Sequence, residues 1–327
     1  MTITATDADT STSGTLTTDP DAPPWRPFRV VVAHLTRLSP AFLRITFTGD
    51  DLDQFGHDGP DQRIKLYVPR PGQSIPDFSP TDWYTQYRNS DPDVRGHIRT
   101  YTIRAVRPEL RELDVDFVLH GHAGLGPVGP AASWAADARI GDELAVIGPN
   151  RVFPHDSRGH EWNPPPGARD LIIAGDETAV PAISGILETL RLAGTAARVR
   201  AFLEVPEPAD VVELSAPGHS EITWLPRHRP DGTAVPHGQQ LVDAVRSATF
   251  EAPAAARDDT SVVDTVDIDL EILWEVAASA TSPVYAWVAG EAGAVKAIRR
   301  HLVRERGVDK GAVTFMGYWR LGRSLDE

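Results

Sequence analysis

The stretch Arg99-Thr-Tyr101-Thr102-Ile-Arg104 gathers three kinds of chemistry within a few residues. A guanidinium can neutralise a diphosphate, a phenol ring can stack on a planar heterocycle, and a threonine hydroxyl can reach a ring heteroatom. On a strand, Arg99 and Tyr101 share one face, whereas Thr102 and Arg104 point differently or sit at a bend. Downstream, Gly124-Leu-Gly126-Pro127-Val-Gly129 leads into a helical run at Ala131–Ala136. Glycines there bring backbone N–H groups close to a helix N-terminus, which is an anion site in any architecture. The same run satisfies the dinucleotide fingerprint G-x-G-x-x-G. A crossover on a parallel sheet needs a helix longer than the roughly eight residues available before Gly141, so the run is read as a phosphate loop in a barrel.

A second set of candidates lies further along. Ala174-Gly-Asp176-Glu177-Thr178-Ala179 ends an apolar run and opens a helix. Thr178 is a candidate N-cap whose hydroxyl can meet a phosphate or a nicotinamide amide. Asp176 and Glu177 suit the helix dipole but repel a pyrophosphate placed too close. Ala289-Gly290-Glu291 marks the next such strand end. Only three of the 32 Lys and Arg residues are lysines, and Lys65 lies inside an apolar run where its neighbours Ile64 and Leu66 face the other way. With Arg151 and Arg320 it can form a basic floor for an anionic ligand, against the plainer reading of a solvent-facing strand lysine. The eleven histidines fall into no metal-binding spacing, and Gly-x-Ser-x-Gly is absent, which argues against a serine hydrolase.

Elements of two kinds must position these groups. Trp25–His34, Phe42–Thr48, Arg63–Val68, Ile98–Val106, Glu112–His120 and Glu143–Ile147 are short β-branched or aromatic runs separated by Gly, Pro and Asp, the pattern of an antiparallel barrel. Pro71–Gly96 interrupts the series as an elaborated loop. Beyond Trp162-Asn-Pro-Pro-Pro-Gly167 the period changes. Strands at Asp170–Gly175, Arg198–Val205, Glu221–Leu225, Val284–Ala289 and Ala312–Met316 alternate with helices at Thr178–Ala193, Gly238–Ser247, Leu270–Ala280 and Glu291–Arg306, which implies a parallel sheet. The expected divisions are an acidic, disordered tail over 1–24, a barrel domain over 25–160, and an α/β domain over 161–327. Glu251–Val266 is read as a mobile insertion within the last.

Five motifs in order resemble the siderophore-interacting proteins of the ferredoxin–NADP reductase superfamily. They are Arg99–Arg104, His120-Gly with Gly126-Pro127 and Trp134-Ala135, Ala174–Ala179, Ala289–Glu291, and Gly317-Tyr318-Trp319-Arg320-Leu-Gly322. The resemblance runs from about Trp25 to Gly322. It implies a flavin-binding barrel followed by a nicotinamide-nucleotide domain, with electrons passing from NADPH or NADH through FAD to a ferric siderophore and releasing Fe(II). It places Arg99 on the FAD diphosphate, Tyr101 against the isoalloxazine and Thr102 near its N5/O4 edge. His120, Gly126, Pro127, Ser133 and Trp134 fall around the diphosphate and adenosine. Asp176, Thr178, Ala179, Gly290 and Glu291 line the nicotinamide side, and Tyr318-Trp319 sit beside the flavin. Two departures stand out: Gly148-Pro-Asn-Arg151 replaces the family's usual Gly-Pro-Arg-Gly-type turn, and Ala289 stands where related reductases often carry cysteine.

Composition bounds the rest. The 327 residues contain no cysteine, so disulfides, thiolate metal sites and cysteine-ligated clusters are excluded, and redox work needs an organic cofactor. A net charge of −14 disfavours nucleic acid and anionic membrane as partners. No secretory signal or spanning run is evident, which reads as a cytoplasmic monomer without membrane insertion. Two alternatives stay open, a colourless siderophore carrier and a general flavin reductase. The electron donor is also open: no basic cluster for an acidic ferredoxin is evident, which tilts toward a nicotinamide nucleotide, and between NADH and NADPH Arg198 and Arg200 favour a phosphate while Glu204 opposes it.

Overall fold

The computed structural model describes residues 16–119, 129–229, 231–250, 274–278 and 281–322. Six antiparallel strands close a barrel: β1 (Trp25–Arg37), β2 (Phe42–Thr48), β3 (Arg63–Val68), β4 (His97–Arg107), β5 (Glu112–Val118) and β6 (Glu143–Pro149), in the order β1-β2-β5-β4-β3-β6. Alternation drives closure. In β3, Ile64, Leu66 and Val68 enter the barrel core with Phe28, Ile45, Phe47, Val115 and Phe117, while Arg63, Lys65 and Tyr67 face outward. The register of β4 on β5 shifts between Ile103 and Ala105, so the bend expected near Arg104 is a bulge. A short helix, α1 (Trp83–Asn89), forms inside the 71–96 excursion. The excursion lays Phe78, Trp83 and Tyr87 over Tyr67 and Ile147 on the outer barrel wall. Helix α2 (Pro130–Asp137) has eight residues and buries Ala131 and Ala135 in the barrel core, which confirms that it is no sheet crossover.

The second sheet has the order β10-β12-β11-β7-β8-β9, from β7 (Asp170–Gly175), β8 (Arg198–Val205), β9 (Glu221–Pro226), β10 (Trp274–Glu275), β11 (Val284–Glu291) and β12 (Val313–Trp319). Helix α3 (Val180–Leu192) covers one face, while α4 (Gln239–Ser247) and α5 (Ala292–Arg299) cover the other, α5 loosening into a π-helical turn at Arg300–Glu305. The period of two in β7 accounts for the layering: Leu171 and Ile173 pack with Ile183 and Ile186 of α3, while Ile172 and Ala174 pack with Leu241, Val245 and Val295. The helix expected over Leu270–Ala280 is not borne out at its centre. Trp274–Glu275 is a strand running antiparallel to β12, so the sheet is mixed rather than wholly parallel. Tertiary contacts override the local apolar pattern there, because Glu275 takes a bidentate ion pair from Arg299 and the Trp274 ring stacks on Tyr318.

Barrel and sheet share one apolar interface. Ala41, Phe42 and Val118 of the barrel belong to the same cluster as Ile173, Ile183 and Trp287. Asp61, 1% exposed, ties the two parts: it accepts from the Trp287 indole at 3.0 Å and from the backbone N–H groups of Glu161 and Trp162 at 3.1 Å. Among the described residues no helix is long and apolar enough to cross a membrane.

Candidate functional site

Tyr101 and Arg99 leave β4 on the face shared with Ile64 and Leu66 across the ladder, and Thr100 and Thr102 on the face shared with Lys65 and Arg63. The Tyr101 ring packs at 4.7 Å from Phe117, which in turn lies 6.1 Å from Trp134 of α2. Burial pushes the Tyr101 phenol well above its ordinary range, so it stays neutral. Arg99 donates to the Ile98 carbonyl at 2.8 Å. Thr102 is 6% exposed. Ser133 is exposed on α2, whose N-cap residue Gly129 makes no side-chain cap. His120, Gly126, Pro127 and the 251–266 segment lie outside the described residues.

At the carboxyl edge of the second sheet, three distant stretches converge on one carboxylate. Asp176 follows β7 and is buried. Its Oδ1 accepts from the Thr178 N–H at 2.9 Å and the Thr178 hydroxyl at 2.5 Å. Its Oδ2 accepts from the Glu291 N–H at 2.7 Å and the Trp319 indole at 2.9 Å. Gly290, at φ +142°, passes so close that a Cβ would stand 2.6 Å from Asp176 Oδ2, a position only glycine fills. Thr178 is therefore not the N-cap of α3. Ala179, fully buried, holds that position without a side-chain cap, and the Thr178 hydroxyl is spent on Asp176. Glu291 caps α5 instead, accepting from Ala294 N at 3.0 Å.

Behind Asp176 stands a buried ionic cluster that no sequence spacing announced. Arg227, after β9, grips Glu177 through two hydrogen bonds of 2.7 and 2.8 Å and reaches Glu204 at 3.3 Å. Glu204 also accepts from Gly238 N and Leu241 N at the start of α4. The His237 side chain, 3% exposed, lies between Asp176, Glu177 and Glu204 at 3.8, 3.6 and 3.9 Å and edge-on to the Trp319 ring. Burial and the Glu177 charge push the Asp176 carboxyl up. Burial also opposes charge at Glu177, but His237 and Arg227 more than offset it and hold that carboxyl low.

A further group joins the two halves. Arg63 of β3 donates to Glu161 at 2.5 Å, and its guanidinium carbon lies 4.3 Å over the Trp274 ring. Trp274 stacks on Tyr318 with ring centroids 6.2 Å apart and planes 22° from parallel. Sequence reasoning found Tyr318 but missed Arg63 and Trp274. Arg63 shares the outward face of Lys65, which is the signal that was there to read. Of the expected basic floor, Lys65 donates to Thr100 Oγ1 at 2.7 Å, and burial followed by Arg63 lowers its ammonium pKa. Arg151 is exposed and donates to the Asp53 carbonyl at 3.0 Å, so these two take partners on separate elements. Arg198 and Arg200 lie at the opposite edge of β8 from the ligand side, paired with Glu221 and Asp170, so neither supplies the phosphate contact considered for them.

The comparisons with known proteins agree with this architecture. Residues 31–153 match the siderophore-interacting FAD-binding domain and residues 168–322 the siderophore-interacting protein model. The ferric vibriobactin reductase ViuB of Vibrio cholerae is 29% identical over 291 residues, 88% of this chain and 87% of that protein. The NADPH-dependent ferric-chelate reductase of Escherichia coli is 28% identical over 292 residues, 89% and 91% of the two chains. The crystal structure of the siderophore-interacting protein SipS from Aeromonas hydrophila is 30% identical and superimposes with a TM-score of 0.64 over 93% of this chain and 95% of that one. With both models matched in order along the barrel and the sheet, the chain belongs to the siderophore-interacting protein family.

Proposed function

We infer that the protein is an FAD-dependent ferric-siderophore reductase that takes electrons from a nicotinamide nucleotide. The observation that carries this reading is the convergence of aromatic and polar groups from barrel and sheet: Arg63 opposite Thr102 in register, packed on Trp274, itself stacked on Tyr318. The residues suit a flat heterocycle with polar edges. Tyr318 Oη and Arg63 Nε are buried without a hydrogen-bond partner among the described residues, an arrangement that costs about 1–3 kcal/mol per group unless a ligand completes it. FAD supplies, when bound, the conversion of a nicotinamide's electron pair into single electrons for chelated Fe(III).

The chain's own residues supply binding and orientation. Arg99 offers a guanidinium to the diphosphate, and Ser133 and Trp134 of α2 are assigned to the diphosphate and adenosine end. Tyr101 offers a neutral ring, and Thr102 a hydroxyl held on the outward face of β4. Asp176 fixes Trp319 and the Glu291 backbone in one place, so that Gly290, Thr178 and Ala179 present backbone rather than side chains at the nicotinamide side. Lys65 offers a compact charge beside Thr100, and with Arg151 and Arg320 it is assigned to the anionic ferric chelate. Hard oxygen donors hold Fe(III) far more tightly than Fe(II), so reduction loosens the metal.

The test is the absorption spectrum of the protein as isolated, followed by anaerobic addition of NADH or NADPH and then a ferric chelate. A bound flavin bleached by one nucleotide and recoloured by the chelate is expected; a colourless protein that binds the chelate supports a carrier and refutes this reading. Lys65→Ala should raise KM for an anionic chelate several-fold and leave kcat with a neutral dye unchanged, and an equal loss on both would remove Lys65 from the substrate site.

A further inference from the structure

The Arg63 side chain does more than close an ion pair. It lies on the outward face of β3 directly opposite Thr102, so the two side chains project to the same side of the ladder. Its Nη2 is occupied by Glu161 and its plane by the Trp274 ring, but its Nε is buried and donates to nothing among the described residues. The Tyr318 hydroxyl, packed against the same tryptophan, is the other buried polar atom there without a partner. Burial drives that phenol upward, and Asp61, Arg63 and Glu161 are the charges it feels first, which keeps it a neutral donor. Two donors held by separate elements and both anchored on Trp274, one of them opposite Thr102, call for a planar partner with acceptors along its edge.

We propose that Arg63 and Tyr318 bind the carbonyl-bearing pyrimidine edge of the flavin ring, with Arg63 Nε as the charged donor and Trp274 as the wall that fixes both. The assignment rests on the reading of the protein as a flavoprotein and adds a residue to it. That edge carries two carbonyl oxygens and a ring nitrogen that accept, alongside one ring N–H that donates, and it gains negative charge when the ring is reduced. A guanidinium fixed against it therefore raises affinity and shifts the reduction potential upward. Glu161 anchors the guanidinium through Nη2 and leaves Nε free to donate, so the donor is aimed before any ligand arrives.

The experiment uses the full chain stripped of flavin and titrated with FAD by fluorescence, with the potential of the reloaded protein measured against a reference dye. Arg63→Met removes donor and charge, while Arg63→Lys keeps the charge beside Glu161 and loses Nε. Arg63→Met is expected to weaken FAD about tenfold, the usual worth of one charge-assisted hydrogen bond, and to make the potential more negative. Arg63→Lys is expected to weaken FAD by a similar factor while leaving the potential near that of the unsubstituted protein. It also keeps the Glu161 pair, so it reports even if Arg63→Met fails to fold. If both variants hold FAD as the unsubstituted protein does, at the same potential, the assignment is overturned and the flavoprotein reading survives. If the unsubstituted protein takes up no FAD, both fall together.

Discussion

His237 illustrates how much charge a protein interior accepts when each group has a counterpart. Three carboxylates, Asp176, Glu177 and Glu204, face one guanidinium and one imidazole, all nearly inaccessible to water. Burial lowers the imidazole pKa, but Glu177 and Asp176 overcome that and raise it above its ordinary value of 6.5, with Arg227 opposing. A group that binds its proton more tightly when folded stabilises the fold below its unfolded pKa. That contribution disappears as pH rises through the folded value. Thermal midpoints should accordingly fall as pH climbs above about 6.5. His237→Gln should flatten that slope, and an unchanged slope in the variant would assign the pH dependence elsewhere. Asp176, whose pKa is also raised, favours the folded state at lower pH, whereas Glu177, whose pKa is depressed, loses its contribution as the medium turns acid.

Helix α3 shows the same economy at the scale of an element. Glycine in a helix interior costs about 1 kcal/mol relative to alanine, so Gly185 requires a reason. The reason is the barrel: a Cβ at Gly185 would stand 2.2 Å from the Pro60 carbonyl oxygen. The adjacent Arg104–Glu188 ion pair at 2.9 Å fixes the same contact. Gly185→Ala, which would stabilise an isolated helix, is expected to lower stability by about 1–3 kcal/mol in this protein. Chemical denaturation measures it, and a gain in stability would show that α3 and the barrel are not held at this contact. The strand β10 carries the opposite lesson. Two residues suffice to convert an expected helix into a sheet edge when a bidentate arginine and an aromatic stack hold them.

For the whole molecule, the interface between barrel and sheet is built like a core. Its apolar part is continuous with the cluster beneath α3, and two buried carboxylates tie its polar part: Asp61 accepts from Trp287, Glu161 and Trp162, and Asp210 accepts from Ser39 and Ala41 at 2.8 and 2.7 Å. Such an interface makes barrel and sheet unfold together. Asp61→Ala strips the acceptor from three donors, each worth about 1–3 kcal/mol when left unsatisfied. A single calorimetric transition is expected for the unsubstituted chain and two for the variant, and a single transition in both would show that Asp61 does not couple the halves. The candidate flavin groups come from both sides of this interface, Arg63 and Thr102 from the barrel and Trp274 and Tyr318 from the sheet, so the same variant should also lose affinity for FAD.

Local pattern was enough to determine most kinds of element and their order, the edge strand at Trp274–Glu275 excepted. The alternation in Arg63–Val68 and the apolar run in Asp170–Gly175 specify strands because side chains on extended backbone have only two faces to choose between. The motifs Arg99–Thr102, Asp176–Ala179, Gly290–Glu291 and Tyr318–Trp319 were equally legible, since each is a short run of distinctive chemistry. What the linear chain could not express is which of these runs meet. Asp176 meets Trp319 across 143 positions, and Trp287 meets Asp61 across 226. Arg63 had only its place on the face of Lys65 as a signal and Trp274 had none, because a strand arginine and a tryptophan after an Ala- and Asp-rich segment acquire their meaning when closure of the barrel and the antiparallel edge strand bring them face to face. Pairing over such separations is set by the packing of whole layers, and only the tertiary structure contains it.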